Sequence, residues 1–183
     1  MSNVVSVNEQ VIERAKKIRV ILMDVDGVMS DGKIVYDSNG VEIKHFDAHD
    51  GLGIKLAKLA GLKTGVISAR ESETIRKRAA ELGMDFLYLG SFKKLDAFHK
   101  LQKKLNLPPE NFCFIGDDLP DIPVLREVGL AIAVGNATEM TRNNVHYTTR
   151  NSGGSGAVRE AIELILDAQE IRLPAIEKLW KEG

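Results

Sequence analysis

The chain of 183 residues contains a single cysteine, Cys113, which excludes an intrachain disulfide framework and a thiolate metal cluster. It has no excess of one charge: 25 Lys+Arg against 26 Asp+Glu leave a formal net charge of −1. That balance argues against a nucleic-acid partner bound through a large positive field. No apolar run approaches the roughly 18 residues of a membrane span, and the amino terminus has no basic-then-apolar signal pattern. The expectation is a soluble cytoplasmic protein with no membrane partner. Prolines number only 5, and there is no internal repeat, low-complexity tract or long linker. What remains is one globular unit of roughly 150 residues with short extensions. A chain of this size buries about 70% of its unfolded surface and needs no covalent or metal staple.

What the chain does have is a rhythm. Residues 18–25, IRVILMDV, form a nearly continuous apolar run rich in β-branched residues, the pattern of a strand buried on both faces. Similar runs recur at 62–68, 85–90, 111–116 and 130–134. Helical patterns alternate with them. One covers 51–60, with Asp50 as its expected N-cap. A second, over 71–83, sets Ile75, Ala79 and Leu82 on one face, and a third, over 93–105, aligns Leu95, Phe98, Leu101 and Leu105. A last helix begins near Ala157. Alternation with short joins predicts a doubly wound α/β fold, a parallel sheet covered by helices on both faces.

One segment breaks the rhythm. Residues 33–46, KIVYDSNGVEIKHF, are two alternating runs about Asn39-Gly40, a hairpin signal directly after the first strand. Ligands in such folds bind beyond the carboxyl ends of the strands, so this hairpin stands where it can overhang a site.

The acids gather at those same ends. The first strand closes in DVDGVMSDG, with Asp24 and Asp26 one residue apart. Close carboxylates repel by about 4 kcal/mol at an effective dielectric of 20, so a cation or a proton must intervene. The fourth strand ends in GDDLPD, supplying Asp117, Asp118 and Asp121. If the first and fourth strands adjoin, Asp24, Asp26 and Asp117 converge as hard oxygen ligands suited to Mg²⁺, with Asp118 or Asp121 acting behind them. The second strand ends in Ser68-Ala69-Arg70, where a hydroxyl and turn N–H groups can grip phosphate oxygens. Lys93 and Lys94 open the helix after the third strand and could reach the same edge, and residue identity does not choose between them.

This order of motifs (DxDG, a strand-ending Ser, a Lys, then GDDxxD) resembles the signature of the haloacid dehalogenase superfamily over residues 18–168. With the hairpin, HDGLGI (49–54), ISAR (67–70) and GGSGAVRE (153–160), it is most similar to the cap-less phosphatases of 3-deoxy-D-manno-octulosonate 8-phosphate, an eight-carbon sugar acid of lipopolysaccharide. Phosphatases of nine-carbon sialic-acid-type 9-phosphates share much of the pattern and are the alternative. The resemblance implies a Rossmann-like phosphatase domain over 18–168, an N-terminal helical extension over 1–17 and a C-terminal extension over 169–183. It implies Asp24 as nucleophile, forming an aspartyl-phosphate, and Asp26 as the acid and then the base. Mg²⁺ would be held by Asp24, the Asp26 carbonyl and Asp117, and Ser68 and Lys94 would grip the phosphate. Lys94 is preferred because it aligns with the lysine that precedes Leu in relatives.

Neither the stretch from Asp24 to Ser68 nor that from Lys94 to Asp117 leaves the roughly 40–50 residues that an inserted cap domain needs. The resemblance therefore implies a homotetramer in which hairpin 33–46 reaches a neighbour's site. Arg70, whose planar fork suits a carboxylate, is the first candidate for the acid group of a small-molecule sugar-acid phosphate, with Ser68, Ala69 and Lys94 beside it. The glycines of GGSG predict a loop whose backbone approaches something closely, and the resemblance points to a segment closing over the site.

His45, His49, His99 and His146 lack metal spacing and read as surface or loop residues, and Cys113 as an inert core thiol. Ile171, Leu173, Ile176, Leu179 and Trp180 form an apolar pattern broken by Pro174, which docks on a partner or on its own domain. The competing classes are a phosphoacceptor domain and a non-catalytic assembly protein. The first requires an aspartate after the third strand, where Gly90-Ser91 stands instead.

Overall fold

The structure, a computed structural model, describes residues 8–182, so residues 1–7 of the expected N-terminal extension lie outside it. The chain runs α1 (Glu9–Ala15), β1 (Val20–Met23), the hairpin β2 (Val35–Tyr36) and β3 (Glu42–Ile43), then α2 (Ala48–Leu59) and β4 (Lys63–Ile67). It continues through α3 (Glu73–Glu81), β5 (Phe86–Tyr88), α4 (Lys94–Leu105) and β6 (Phe112–Gly116) to α5 (Ile122–Leu125) and β7 (Leu130–Ala133). The remainder is α6 (Glu139–Arg142), β8 (Tyr147–Thr148), α7 (Ala157–Ala168) and α8 (Arg172–Glu182). Six strands form one parallel sheet in the order β5-β4-β1-β6-β7-β8, and β2 and β3 pair as a separate antiparallel ribbon. This is the doubly wound arrangement, with no inserted cap domain among the described residues.

The continuous apolar runs have the expected cause. In β1, Ile21 and Met23 enter the core under α1, α2 and α7, while Val20 and Leu22 enter the core under α4 and α5. In β6, Cys113 and Ile115 face the first core and Phe112 and Phe114 the second, where Phe98 meets the Phe112 ring edge-on at 5.2 Å. Alternate residues serve opposite faces, and both faces are dry. Val11, Ala15 and Ala175 belong to the first core as well, so α1 and α8 pack on this domain. Of the C-terminal pattern, Ile171, Ile176 and Leu179 pack against that core, whereas Leu173 and Trp180 stay exposed. Among the described residues no helix is long and apolar enough to cross a membrane.

The order turns at β1. Its residue Met23 lies opposite Val66 of β4 on one side and Ile115 of β6 on the other. The ends of the three strands are therefore level, and whatever follows Met23, Ile67 and Gly116 meets at one edge.

Two details differ from expectation. Helix α2 begins at Ala48, because Asp47 and not Asp50 caps it, accepting from the His49 N–H at 2.6 Å. Asp50 turns away to another helix. His146 stays exposed in the bend before β8, as expected, and its Nδ1 accepts the Ala131 N–H of β7 at 2.9 Å. The two-residue strand β8 is too short to leave a periodic signal.

Candidate active site

The β1 ladder runs on into the first acid, whose N–H donates to the Ile115 carbonyl at 3.0 Å. Asp24 thus leaves the sheet beside the start of the next acid run. Beyond Gly116 the chain tightens into a 3₁₀ turn, Leu119–Asp121, which folds Asp121 back beneath its own strand end. Its Oδ2 accepts from the N–H groups of Asp117 at 2.9 Å and Asp118 at 3.3 Å, and its Oδ1 accepts from Lys94 Nζ at 2.6 Å. A side chain at Gly116 would strike Asp121, with Cβ 2.7 Å from its Cβ, so glycine is required there. Asp118 instead caps the turn, accepting from the Leu119 N–H at 2.8 Å.

Lys94, the first residue of α4, is buried, and its Nζ stands 2.9 Å from Asp24 Oδ2. Its neighbour Lys93 is exposed. Carboxylate oxygens of Asp24, Asp117 and Asp121 lie within 4.8 Å of one another. Both oxygens of Asp121 are engaged, but Asp24 Oδ1 and Asp117 Oδ1 are buried with no hydrogen-bond partner. Burial holds the Asp24 carboxyl up at about 6, against the pull of Lys94. Burial, aided by Asp121 and Asp24, pushes Asp117 to about 8. For Lys94, burial works against the charge, yet Asp121 and Asp24 keep its pKa above the ordinary lysine value.

An anionic nest with two orphaned carboxylate oxygens is what a hard divalent cation satisfies. The donor set fits Mg²⁺: oxygen only, few protein ligands, and room for water and phosphate.

Asp26 points elsewhere. Its Oδ1 meets Lys44 Nζ at 2.5 Å, while its Oδ2 is buried without a hydrogen bond and lies 3.6 Å from Arg70 Nε. Its side chain is thus outside the metal cluster, so of Asp26 only the main-chain carbonyl remains as a candidate metal ligand. Ser68 is buried, and its hydroxyl oxygen accepts the Arg70 N–H at 3.3 Å, which leaves its own proton to donate. Ala69 and Arg70 also border the cleft, which measures ≈ 260 Å³. The Arg70 fork is taken up by the hairpin: Nη2 meets Glu42 Oε1 at 2.6 Å and the Tyr36 hydroxyl at 3.4 Å. Lys44, almost fully buried, also reaches Glu42 at 3.2 Å.

Glu42 and Lys44 went unread in the sequence, although the period-2 alternation of the hairpin sets them on one face. A larger groove, ≈ 650 Å³ between α2 and α3, carries none of the strand-end acids, so the chemistry selects the smaller cleft. The GGSG loop does approach backbone closely, but none of its residues borders the cleft: it lies against the loop after β1.

Relatives share both the sequence and this frame. Residues 86–162 match the haloacid dehalogenase-like hydrolase family. The 3-deoxy-D-manno-octulosonate 8-phosphate phosphatase of Escherichia coli (strain K12) is 44% identical over 163 residues, 89% of this chain and 87% of that one. The Moraxella catarrhalis phosphatase of the same name, solved with magnesium ion, phosphate ion and a KDO molecule, superposes with a TM-score of 0.91 at 42% identity, over 93% of this chain and 98% of its own. The Yersinia pestis enzyme gives a TM-score of 0.88 at 43% identity, over 90% and 89%. With its strand-end acids, no inserted cap among the described residues and these relatives, the chain belongs to the haloacid dehalogenase-like hydrolases, in the family of 3-deoxy-D-manno-octulosonate 8-phosphate phosphatases.

Proposed function

We propose that this protein is a Mg²⁺-dependent phosphatase that releases phosphate from 3-deoxy-D-manno-octulosonate 8-phosphate through an aspartyl-phosphate on Asp24. The observation that carries the chemistry is the pair of unpartnered oxygens on Asp24 and Asp117 beside the buried Lys94 cation. The substrate comes from the relatives, above all the one solved with KDO, phosphate and magnesium.

In the first half, an Asp24 oxygen attacks phosphorus in line and the P–O bond to the sugar breaks. Asp26, turned from Lys44 and protonated for this step, gives its proton to the departing alkoxide, a poor leaving group that needs one. In the second half, Asp26 takes a proton from water as that water attacks phosphorus. Asp24 then leaves as carboxylate, and inorganic phosphate is free. Lys94 and the Ser68 hydroxyl hold the phosphoryl oxygens throughout, and the fixed Lys94 charge needs no reorganisation as negative charge builds. When bound by the Asp24 and Asp117 side chains and the Asp26 carbonyl, Mg²⁺ supplies the positive charge that lets carboxylate approach phosphate.

The sugar end needs more than one chain. A cleft of ≈ 260 Å³ falls below the roughly 300–1,000 Å³ of sites that enclose a whole small ligand. The phosphoryl group fits within it and the sugar acid projects outward, towards Arg70. Beside it stands a hairpin with Ile34, Val35, Tyr36, Val41 and Ile43 exposed. Covering that apolar ribbon favours a homotetramer in which each hairpin closes a neighbour's site and excludes water. Working on a precursor sugar of lipopolysaccharide, such an enzyme belongs in the cytoplasm.

One experiment tests substrate and assembly together. Phosphate release with Mg²⁺ is measured on fractions across a sizing column, using 3-deoxy-D-manno-octulosonate 8-phosphate, nine-carbon sugar-acid 9-phosphates and simple sugar phosphates. The eight-carbon substrate should be turned over best, with activity following the tetramer peak. Preference for a nine-carbon substrate would reassign the sugar, and a fully active monomer would remove the trans-closing hairpin. Inactivity on every sugar-acid phosphate overturns the reading.

A further inference from the structure

The loop after β1 that carries Asp26 is pinned between two surfaces, and both contacts exclude side chains. On one side, a Cβ on Gly27 (φ +92°) would fall 2.1 Å from Asp117 Oδ2. On the other, a Cβ on Gly153 would fall 1.7 Å from the Gly27 carbonyl oxygen, and one on Gly154 (φ +66°) 2.5 Å from the Asp31 nitrogen. The Gly154 N–H donates to the Val28 carbonyl at 2.9 Å, and the Gly153 N–H to Asn136 Oδ1 at 2.8 Å. Backbone thus lies on backbone, then on a carboxylate of the acidic cluster. No flexible side chain stands between them to absorb a shift.

What fixes the outer surface is Asp50. It is 3% exposed, and its carboxylate is spent on the first turn of α7: Oδ1 accepts the Arg159 N–H at 2.7 Å and Oδ2 the Gly156 N–H at 3.3 Å. Asp50 sits on α2, which packs so closely on α7 that a Cβ on Gly53 would lie 3.2 Å from Arg159 Cα. A buried carboxylate that satisfies two orphan N–H groups at a helix start holds that start in place, aided by the helix dipole. Only the loop 153–156 separates this anchored start from Gly27.

We propose that Asp50, which does not line the cleft, is a positioning residue for the reaction. Through the start of α7 and the loop 153–156 it sets the height of the Gly27 peptide, and with it the spacing between the Asp26 main chain and Asp117. The inference rests on the aspartyl-phosphate reading above for its consequence in turnover, but the placement it describes is independent of the sugar.

The test compares three variants of the full chain. Asp50→Asn keeps the shape but presents an amide where a second acceptor is needed, and Asn136→Ala frees the Gly153 N–H from the other side of the same loop. Asp85→Asn is the control: Asp85 also accepts a backbone N–H, that of Thr64 at 2.9 Å, but at the opposite edge of the sheet. Asp50→Asn should lower kcat about tenfold or more with KM within about twofold. It should also weaken Mg²⁺ binding to the metal-free protein about tenfold by calorimetry. Asn136→Ala, an exposed substitution that leaves the core intact, should move both quantities in the same direction. Asp85→Asn should lower Tm and leave both unchanged. Wild-type kcat and Mg²⁺ affinity in Asp50→Asn and Asn136→Ala would overturn the proposal, as would equal losses in Asp85→Asn. Failure of the functional reading would show separately, as a wild-type protein that releases no phosphate while the Mg²⁺ titrations still report on the loop.

Discussion

Asp24→Asn is expected to lower kcat on the order of 10⁴-fold or more, because the amide cannot attack phosphorus and no neighbouring group replaces it. The same substitution should stabilise the metal-free protein at neutral pH and above. Asp24 and Asp117 have pKa values raised from the ordinary 3.8 to about 6 and about 8, chiefly by burial. The native state therefore binds protons that the unfolded chain has already released. The stability linked to these groups is fully present below the ordinary carboxylate range, and it is lost as pH rises through about 6 and then about 8. The asparagine removes one of the two groups. Metal-free wild type should accordingly lose Tm between roughly pH 4 and pH 8, and Asp24→Asn should lose less. Each kcal/mol recovered raises Tm by about 2–4 °C in a chain of this size. Added Mg²⁺ should flatten the wild-type curve by satisfying the orphaned oxygens. Calorimetry across pH, with and without the ion, checks this. A wild-type Tm that rises over that window without metal would contradict the account.

Lys94→Met carries the second large effect, and it acts on both stability and rate. Methionine matches the length of the stem but removes the charge that lies 2.9 Å from Asp24 and 2.6 Å from Asp121. Two buried carboxylates would then face each other with nothing between them, and breaking a buried pair in this way costs about 3–5 kcal/mol. Loss of a fixed cation at the phosphoryl oxygens should lower kcat about 10²–10³-fold in addition. Lys93→Met is the natural comparison, since Lys93 is exposed and sits one position before α4. Denaturant unfolding and steady-state kinetics on both variants should separate them completely. Equal losses at the two positions would show that the net charge of the helix start matters, not the contact.

Much of this was legible in the sequence, for a reason visible in β1. A strand dry on both faces must be apolar throughout, so the IRVILMDV run announces itself, and the acid that ends it stands out. The second acid run could be matched to the first only if β1 and β6 adjoin, and the Met23–Ile115 register provides that. What stayed hidden depends on contacts between distant residues. Asp50 reads as a local cap because it precedes a helical pattern, yet its partners Gly156 and Arg159 come more than 100 residues later. Within GDDLPD nothing distinguishes the acid that caps the turn from the one folded beneath it. The 3₁₀ geometry assigns the first role to Asp118 and the second to Asp121. Glu42 and Lys44 share a hairpin face, but what that face meets is decided by how the ribbon lies on the sheet edge.

The most direct test of the central claim is a crystal structure of the protein with Mg²⁺ and beryllium trifluoride, which stands in for a transferred phosphoryl group. Beryllium should be bonded to a side-chain oxygen of Asp24, with Lys94 and Ser68 on the fluorides and the metal ion touching Asp24, Asp117 and the Asp26 carbonyl. Beryllium bonded to any other residue, or a metal ion ligated away from Asp24 and Asp117, would contradict the mechanism.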